Sequence, residues 1–347
     1  MGRKVLVTGG AGFIGSHVAA AYVAAGDEVT VLDDLSSGAM ANVPSGARFV
    51  RADIRSPEAR ALLASGGFTL LNHHAAQVDV RISVADPVRD SDINILGLLN
   101  LLAGAGTGGV RRVIFASSGG AVYVEHGRLP HGEAAAKLPL SPYGSAKLAC
   151  EYYLATFAQL YGLESAVLRY SNVYGPRQNG AGEGGVVAVF AHRLAAGEPV
   201  TIFGDGRQTR DLVYAGDVAE ANLLASECRL GPLGELDARA FNIGTGIETG
   251  VTELAEVLAA ALGRRLDARY QPARAGELRR SALAIDKAAA ELGWRPRTPL
   301  REGLASTLRA IVGPDGGTAG PGPARDSGGT GRMGSRRLRA EPEARSA

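Results

Sequence analysis

Lys4-Val5-Leu6-Val7-Thr8-Gly9-Gly10-Ala11-Gly12-Phe13-Ile14-Gly15 is the stretch that decides the fold. Its first five residues form a short apolar run, as in a strand buried within a parallel sheet. A helical segment follows from Ser16 to Ala25 and stops at Gly26, and the next strand, Val29-Thr30-Val31-Leu32, ends in Asp33-Asp34. Strand, glycine turn, helix, strand and acid stand in the order that a dinucleotide-binding βαβ unit requires. Gly9 permits the tight turn, Gly12 lets backbone approach a pyrophosphate, and Gly15 allows close helix–strand packing, with Phe13 and Ile14 in the same turn. The pyrophosphate would sit at the positive end of the helix. Asp33 would accept from the adenosine ribose hydroxyls and repel a 2′-phosphate. The nearby bases, Arg3, Lys4 and Arg48, do not follow the acid directly, so the expected cofactor is NAD.

Further βα units continue outward. Arg48-Phe49-Val50-Arg51 runs to Asp53-Ile54, and Thr69-Leu70-Leu71-Asn72 runs to His73-His74-Ala75-Ala76-Gln77. Ile93 to Ala103 reads as an apolar helix, Arg112 to Ala116 as a strand ending at Ser117-Ser118, and Ser165 to Tyr170 as a strand leading to Asn172. The expected fold is α/β: a Rossmann-type doubly wound parallel sheet with a smaller C-terminal substrate-binding domain. Ligands bind at strand carboxyl ends in such sheets, which places Gly9, Asp33, Asp53, Ala75, Ser118 and Asn172 along one edge. Residues 1–180 are assigned to NAD binding and 181–312, with shorter Gly- and Pro-rich elements closed by Trp294 and a last helix, to a smaller substrate-binding portion. Residues 313–347 have too few apolar side chains to fold and are expected to be a disordered tail. Its Arg336-Arg337-Leu338-Arg339 cluster reads better as solvated than as a site for an acidic partner.

Tyr143 and Lys147 stand four apart at the head of another helical run, on one helix face. A neighbouring ammonium favours phenolate, which would make Tyr143 a usable base near neutral pH. The pair alone is a weak signal; beside a dinucleotide turn it acquires chemistry to do.

The chain has 347 residues, 46% hydrophobic and 21% charged, with a net charge of +2, and gives no reason to invoke nucleic acid. No apolar run of membrane-spanning length or signal peptide is read, and Cys150 and Cys228 offer neither metal spacing nor a disulfide framework. A cytoplasmic protein without a metal is expected.

Thr8 to Gly15, His74-Ala75-Ala76-Gln77, Tyr143-x-x-x-Lys147 and Arg169-Tyr170-Ser171-Asn172-Val173-Tyr174-Gly175-Pro176-Arg177-Gln178 together resemble the extended short-chain dehydrogenase/reductase family, in its nucleotide-sugar branch. Thr209-Arg210-Asp211, Phe241-Asn242-Ile243-Gly244-Thr245-Gly246 and Arg274-Ala275-Gly276-Glu277 before Leu292-Gly293-Trp294 agree, and the 4-epimerases of UDP-glucose and UDP-galactose look nearest. The resemblance implies a catalytic Ser118, Tyr143 and Lys147. On the cofactor it implies Asp53 and Ile54 beside the adenine, Ala75, Ala76 and Gln77 towards the nicotinamide, Lys147 on its ribose, and Tyr170. On the UDP-sugar it implies Asn172, Arg210, Arg274, Glu277 and Ser281, besides Ser118 and Tyr143. Ser281 would border the sugar and, being small, leave room for an N-acetyl group, although a shift of one would put Arg280 there. Ser117 is the alternative to Ser118, and Val124 stands where the family usually has Gly. A homodimer is the family habit.

The implied reaction takes the 4-hydroxyl proton onto Tyr143 and the C4 hydride onto NAD, turns the 4-keto sugar, and returns both. Gly119-Gly120 follows Ser118 where dehydratases of this branch carry an acid, so epimerisation is preferred. The alternatives are 4-epimerisation of a UDP-uronic acid, a reductase or dehydratase on the same scaffold, or a non-catalytic NAD-sensing protein. An intact Ser118, Tyr143 and Lys147 weigh against the last.

Overall fold

The computed structural model describes residues 2–124, 127–180, 185–273 and 278–313. In chain order its strands are β1 (Lys4–Thr8), β2 (Glu28–Asp33), β3 (Arg48–Arg51), β4 (Leu70–His73), β5 (Arg112–Ser118), β6 (Glu164–Tyr170), β7 (Asn172–Tyr174), β8 (Val200–Phe203), β9 (Thr209–Arg210), β10 (Leu212–Tyr214), β11 (Ala240–Ile243), β12 (Thr249–Gly250) and β13 (Ala268–Gln271). The helices are α1 (Phe13–Ala24), α2 (Pro57–Ser65), α3 (Val80–Ala85), α4 (Pro87–Ser91), α5 (Gly97–Gly108), α6 (Gly119–Val122), α7 (Pro142–Tyr161), α8 (Val186–Ala195), α9 (Ala215–Glu227), α10 (Val251–Ala261) and α11 (Leu300–Val312).

Among these residues, seven strands form a parallel sheet in the order β11-β6-β5-β4-β1-β2-β3. It is the doubly wound arrangement, with its order reversing between β1 and β4. Side chains alternate across the pleat: Val5 and Val7 enter the core on the α1 and α9 side, while Leu6 enters the one built with α2, α5 and α7. A third core gathers Val187, Phe190, Leu254, Leu258, Leu304 and Leu308 from α8, α10 and α11.

Local chemistry sets the helix that matters most. Ser141 caps α7 by accepting from Gly144 N at 3.2 Å, Pro142 takes a first-turn position where its missing N–H costs nothing, and Gly162, at φ 67°, ends the helix.

Two features depart from the sequence expectation. The helical run from Ile93 is not regular, because Asp92–Leu96 is a π turn leading into α5. There Asn94 turns its amide onto the backbone of Gln77, accepting from its N at 2.9 Å and donating to its O at 3.0 Å. Such turns recur at functional sites. Secondly, elements from the C-terminal half take part in the sheet layer: α9 lies on the sheet, β11 is its edge strand, and Trp294 joins the α1–α9 core. The Arg336–Arg339 cluster and nearly all of the expected tail lie outside the described residues.

Candidate active site

The crevice at the β1/β4 reversal is built from backbone. Gly9 has φ 68°, and a Cβ there would stand 2.6 Å from Ala75 N; one at Gly15 would stand 2.2 Å from Gly9 O. A Cβ at Gly12 would meet only Gly9 O, at 3.1 Å, so its approach side is clear within 4 Å. The first turn of α1 carries no acidic residue and no side-chain cap, which leaves its positive end for an anion. Asp33, buried at the end of β2, accepts from Ala11 N at 3.0 Å and from Leu35 N at 2.8 Å, and burial raises its carboxyl. Arg3 and Lys4 pair with Asp27 and Glu28 at the opposite, amino-terminal edge of the sheet. These residues fit NAD: a pyrophosphate turn and a carboxylate for the ribose diol.

Ala75 and Ala76 are half-buried beyond β4, with Ala75 N donating to Thr8 Oγ1 at 3.3 Å. The Gln77 side chain is committed to Asp90 Oδ1 at 2.8 Å and to Asp79 O at 2.9 Å. Asp53 pairs with Arg55, which also reaches Asp92. Ile54 is a core side chain, so only its backbone is available to a ligand. Tyr170 is buried, with its hydroxyl against Asn222 at 3.2 Å and His74 at 3.1 Å; it too can serve a cofactor only through its backbone. Phe13 and Ile14 are half-buried in the first turn of α1.

Ser118, Tyr143 and Lys147 meet where β5 faces α7. Ser118 hydrogen-bonds the Tyr143 hydroxyl, whereas Ser117, one residue back, donates to Glu151 Oε1 at 2.5 Å. The Ser117 hydroxyl is thus committed to a carboxylate, while Ser118 is the serine that acts on the tyrosine hydroxyl. Lys147 Nζ donates to Ala116 O at 2.8 Å and lies 5.7 Å from the centre of the Tyr143 ring. The expected lowering of the tyrosine by its lysine is not found. Burial pushes Tyr143 up to about 12; the bond from Ser118 works against this, and the charge of Asp90 adds to it. Burial also brings Lys147 down to about 8, with Cys150, Asp90 and Glu151 holding it up.

On the substrate side the organiser is Asp211, fully buried. It accepts from Thr245 N at 2.8 Å, Thr245 Oγ1 at 2.7 Å, Gly246 N at 3.0 Å and Leu283 N at 3.1 Å. Its own backbone O takes Asn172 N at 2.9 Å, so one residue, next in the chain to Arg210, holds the segments carrying Asn172 and Leu283 together. Arg210 donates to Thr209 O at 2.8 Å, and the Asp211 carboxylate is occupied by the bonds just named. Ser281 is buried, and Arg280 is exposed and paired with Glu248. Two residues on, Leu283 lies over Gly119, where a Cβ would be 2.5 Å from Leu283 Cδ1, beside Ser118. Arg274 and Glu277 lie outside the described residues.

Two acids went unread in the sequence. Asp90, fully buried, holds Gln77 and Asn94 on Oδ1 and has no partner for Oδ2 among the described residues. Glu151 is buried four residues beyond Lys147, a spacing visible in Tyr143-x-x-x-Lys147-x-x-x-Glu151. Asp90 left no such signal, since its partners come from distant segments.

A dinucleotide crevice joined to a Ser-Tyr-Lys constellation defines the extended short-chain dehydrogenase/reductase class. Residues 5–244 match the family described as NAD dependent epimerase/dehydratase, and the chain belongs to it. The UDP-glucose 4-epimerase of Mycolicibacterium smegmatis is 42% identical over 310 residues, covering 88% of this chain and 97% of that protein. The structure of Thermotoga maritima UDP-glucose 4-epimerase with UDP-glucose matches at a TM-score of 0.84 and 45% identity, covering 88% of this chain and 98% of the other. The Thermus thermophilus UDP-glucose 4-epimerase complex with NAD matches at 0.82 and 44% identity, with the same coverages. The cofactor of this enzyme family is NAD.

Proposed function

We propose that the chain is a UDP-sugar 4-epimerase interconverting UDP-glucose and UDP-galactose. The observation that carries this is the Tyr143 and Lys147 pair on α7, with Lys147 tied to β5 one turn on, beside an NAD crevice and with Gly119-Gly120 in place of an acid after Ser118. Tyr143 takes the proton of the sugar 4-hydroxyl and later returns it; Ser118 holds that hydroxyl in line. NAD, when bound, supplies a hydride acceptor at C4 and a positively charged ring. Lys147 anchors the catalytic end of α7 to β5 and carries the remaining positive charge. Asn172 and Arg210, with Arg274 and Glu277, grip the diphosphate and its ribose, and this remote binding keeps the 4-keto sugar in place while it turns. Arg suits diphosphate because its planar fork donates to two oxygens. Residues 1–180, completed by α9 and β11, bind NAD, and the α8, α10 and α11 core supports the sugar nucleotide. The test is incubation of the purified protein with UDP-galactose and separation of the epimers. Net NADH formation or loss of water from the sugar would replace this reading with a reductase or a dehydratase.

The working form is a homodimer. Exposed apolar side chains gather on α3, α4 and α7, among them Val84, Val88, Tyr152, Leu160 and Tyr161, with Leu96 from the adjoining π turn. A cavity of about 760 Å³ lined in part by Val88, Ile95 and Leu96 adds relief to this face. Light scattering on a sizing column should give twice the chain mass; a monomer at micromolar concentration refutes it. Among the described residues no helix is long and apolar enough to cross a membrane, and both cysteines are free, which suits a reducing cytoplasm.

A further inference from the structure

Three consecutive residues of β5 meet one face of α7. Ser118 bonds Tyr143, Ala116 O accepts from Lys147 Nζ at 2.8 Å, and Ser117 donates to Glu151 at 2.5 Å. Tyr143, Lys147 and Glu151 are spaced by four, so they stack along the helix. Glu151 is itself gripped from the next strand. Arg169 is the cross-strand neighbour of Ser117; its Nε lies 3.1 and 3.2 Å from the two carboxylate oxygens and its Nη2 is 2.5 Å from Oε2. Arg169 also reaches Tyr123 Oη at 3.0 Å, Glu133 O at 3.1 Å and Asp237 at 2.7 Å, while Tyr123 donates to Asn242 at 2.7 Å. The Arg169 and Glu151 side chains are 0% and 1% exposed.

We propose that Glu151 is a positioning residue for the reaction, fixing the seat of Ser118 through Ser117 and setting a fixed carboxylate one helical turn from Lys147. This rests on the epimerase reading above. A buried ion pair is a poor source of stability compared with apolar packing, so its presence directly behind the reacting groups calls for a role. A fixed carboxylate one helical turn from Lys147 offsets the burial that drives the ammonium towards neutrality. The other groups facing Lys147 are Asp90 from α4, Cys150 and Tyr143 from α7, and His73 and His74 beyond β4; burial holds both histidines neutral, at about 3. Glu151 alone among them is tied both to the serine strand and to a second buried charge.

The test follows Lys147 directly. The sequence holds four lysines, Lys4, Lys137, Lys147 and Lys287, so a protein labelled at the lysine ε-carbon gives an assignable NMR titration. In Glu151→Gln the midpoint of Lys147, near 8 in the parent, should fall. With UDP-galactose, kcat should drop on the order of 10–100-fold, the usual loss when a supporting group rather than a reacting one is removed, and KM should stay within about twofold. Glu151→Asp keeps the charge one methylene short, so it should restore the midpoint and not the full rate. Ser117→Ala should lower kcat several-fold with the midpoint in place. An unmoved Lys147 midpoint in Glu151→Gln overturns the electrostatic role, and an unchanged kcat in Ser117→Ala overturns the positional one; the serine variant also serves if Glu151→Gln does not fold. Failure of the parent protein to epimerise any UDP-sugar would sink the functional reading and leave the titration standing.

Discussion

Tyr143 holds its proton more tightly than a free tyrosine because its hydroxyl is removed from water and Asp90 opposes a phenolate. Its value as a base therefore depends on positive charge delivered to the crevice, and not on Lys147 alone. Tyr143→Phe removes the acceptor and keeps the ring. Turnover should fall about 10²–10⁴-fold, as for general acid–base groups, with KM for UDP-galactose nearly unchanged; a variant within tenfold of the parent would require another base. Ser281 is the second residue with a sharp expectation. The backbone is held extended around Leu283, since His131 N donates to Ala282 O at 2.9 Å and Ala284 N to His131 O at 2.8 Å. Residues two apart share a face of an extended backbone, so Ser281 is expected on the side of Leu283. A small side chain leaves space for an acetamido group, and both UDP-galactose and UDP-N-acetylgalactosamine should be turned over. Ser281→Tyr should suppress the second substrate by about one to two decades, the equivalent of 1–3 kcal/mol of overfilling. Rejection of N-acetylated sugars by the parent would remove Ser281 from the pocket.

The first βα turn is the element on which cofactor retention depends. Any Cβ at Gly15 runs into Gly9 O, a backbone atom that cannot swing aside. Gly15→Ala should cost about 1–3 kcal/mol and strip copurified nucleotide, read from the 260 to 280 nm absorbance ratio and the melting curve; full retention of NAD would show that the turn has slack. This element is legible in the sequence because every constraint on it is local: a strand, a glycine spacing and an acid. The α7 residues are legible for the same reason. The π turn at Asp92–Leu96 is not, because what stabilises it is Asn94 reaching Gln77, seventeen residues earlier in the chain. Asp90 and Arg169 are hidden likewise: their meaning lies in partners that only the folded sheet brings near. Periodicity locates elements, and it says nothing of which buried charges will face each other.

At the scale of the whole molecule, acid is the predicted weakness. His73 and His74, neutral in the fold at about 3, would bind protons at about 6.5 once unfolded. Between those values the unfolded chain takes up protons that the native one refuses, so stability falls as pH drops below 6.5 and gains nothing from the histidines above it. The slope approaches about 1.4 kcal/mol per pH unit for each histidine well below 6.5, and Asp33, raised by burial, opposes it in part. Melting temperature should be nearly level around pH 7 and decline from pH 6 to 5; a flat profile over that lower range would mean that the histidines are solvated. The seven-stranded sheet carries one further consequence. Its β6 edge is closed by β11, and one face is covered by α9, both from the second half of the chain. At about 5–20 residues per second, Tyr170 leaves the ribosome several seconds before Ala240 does. During that interval β6 is a bare apolar edge, open to pairing with other nascent chains. The nucleotide fold is therefore not inherited as a module that could be cut out or grafted: it becomes complete only as its sugar-binding partner is being made.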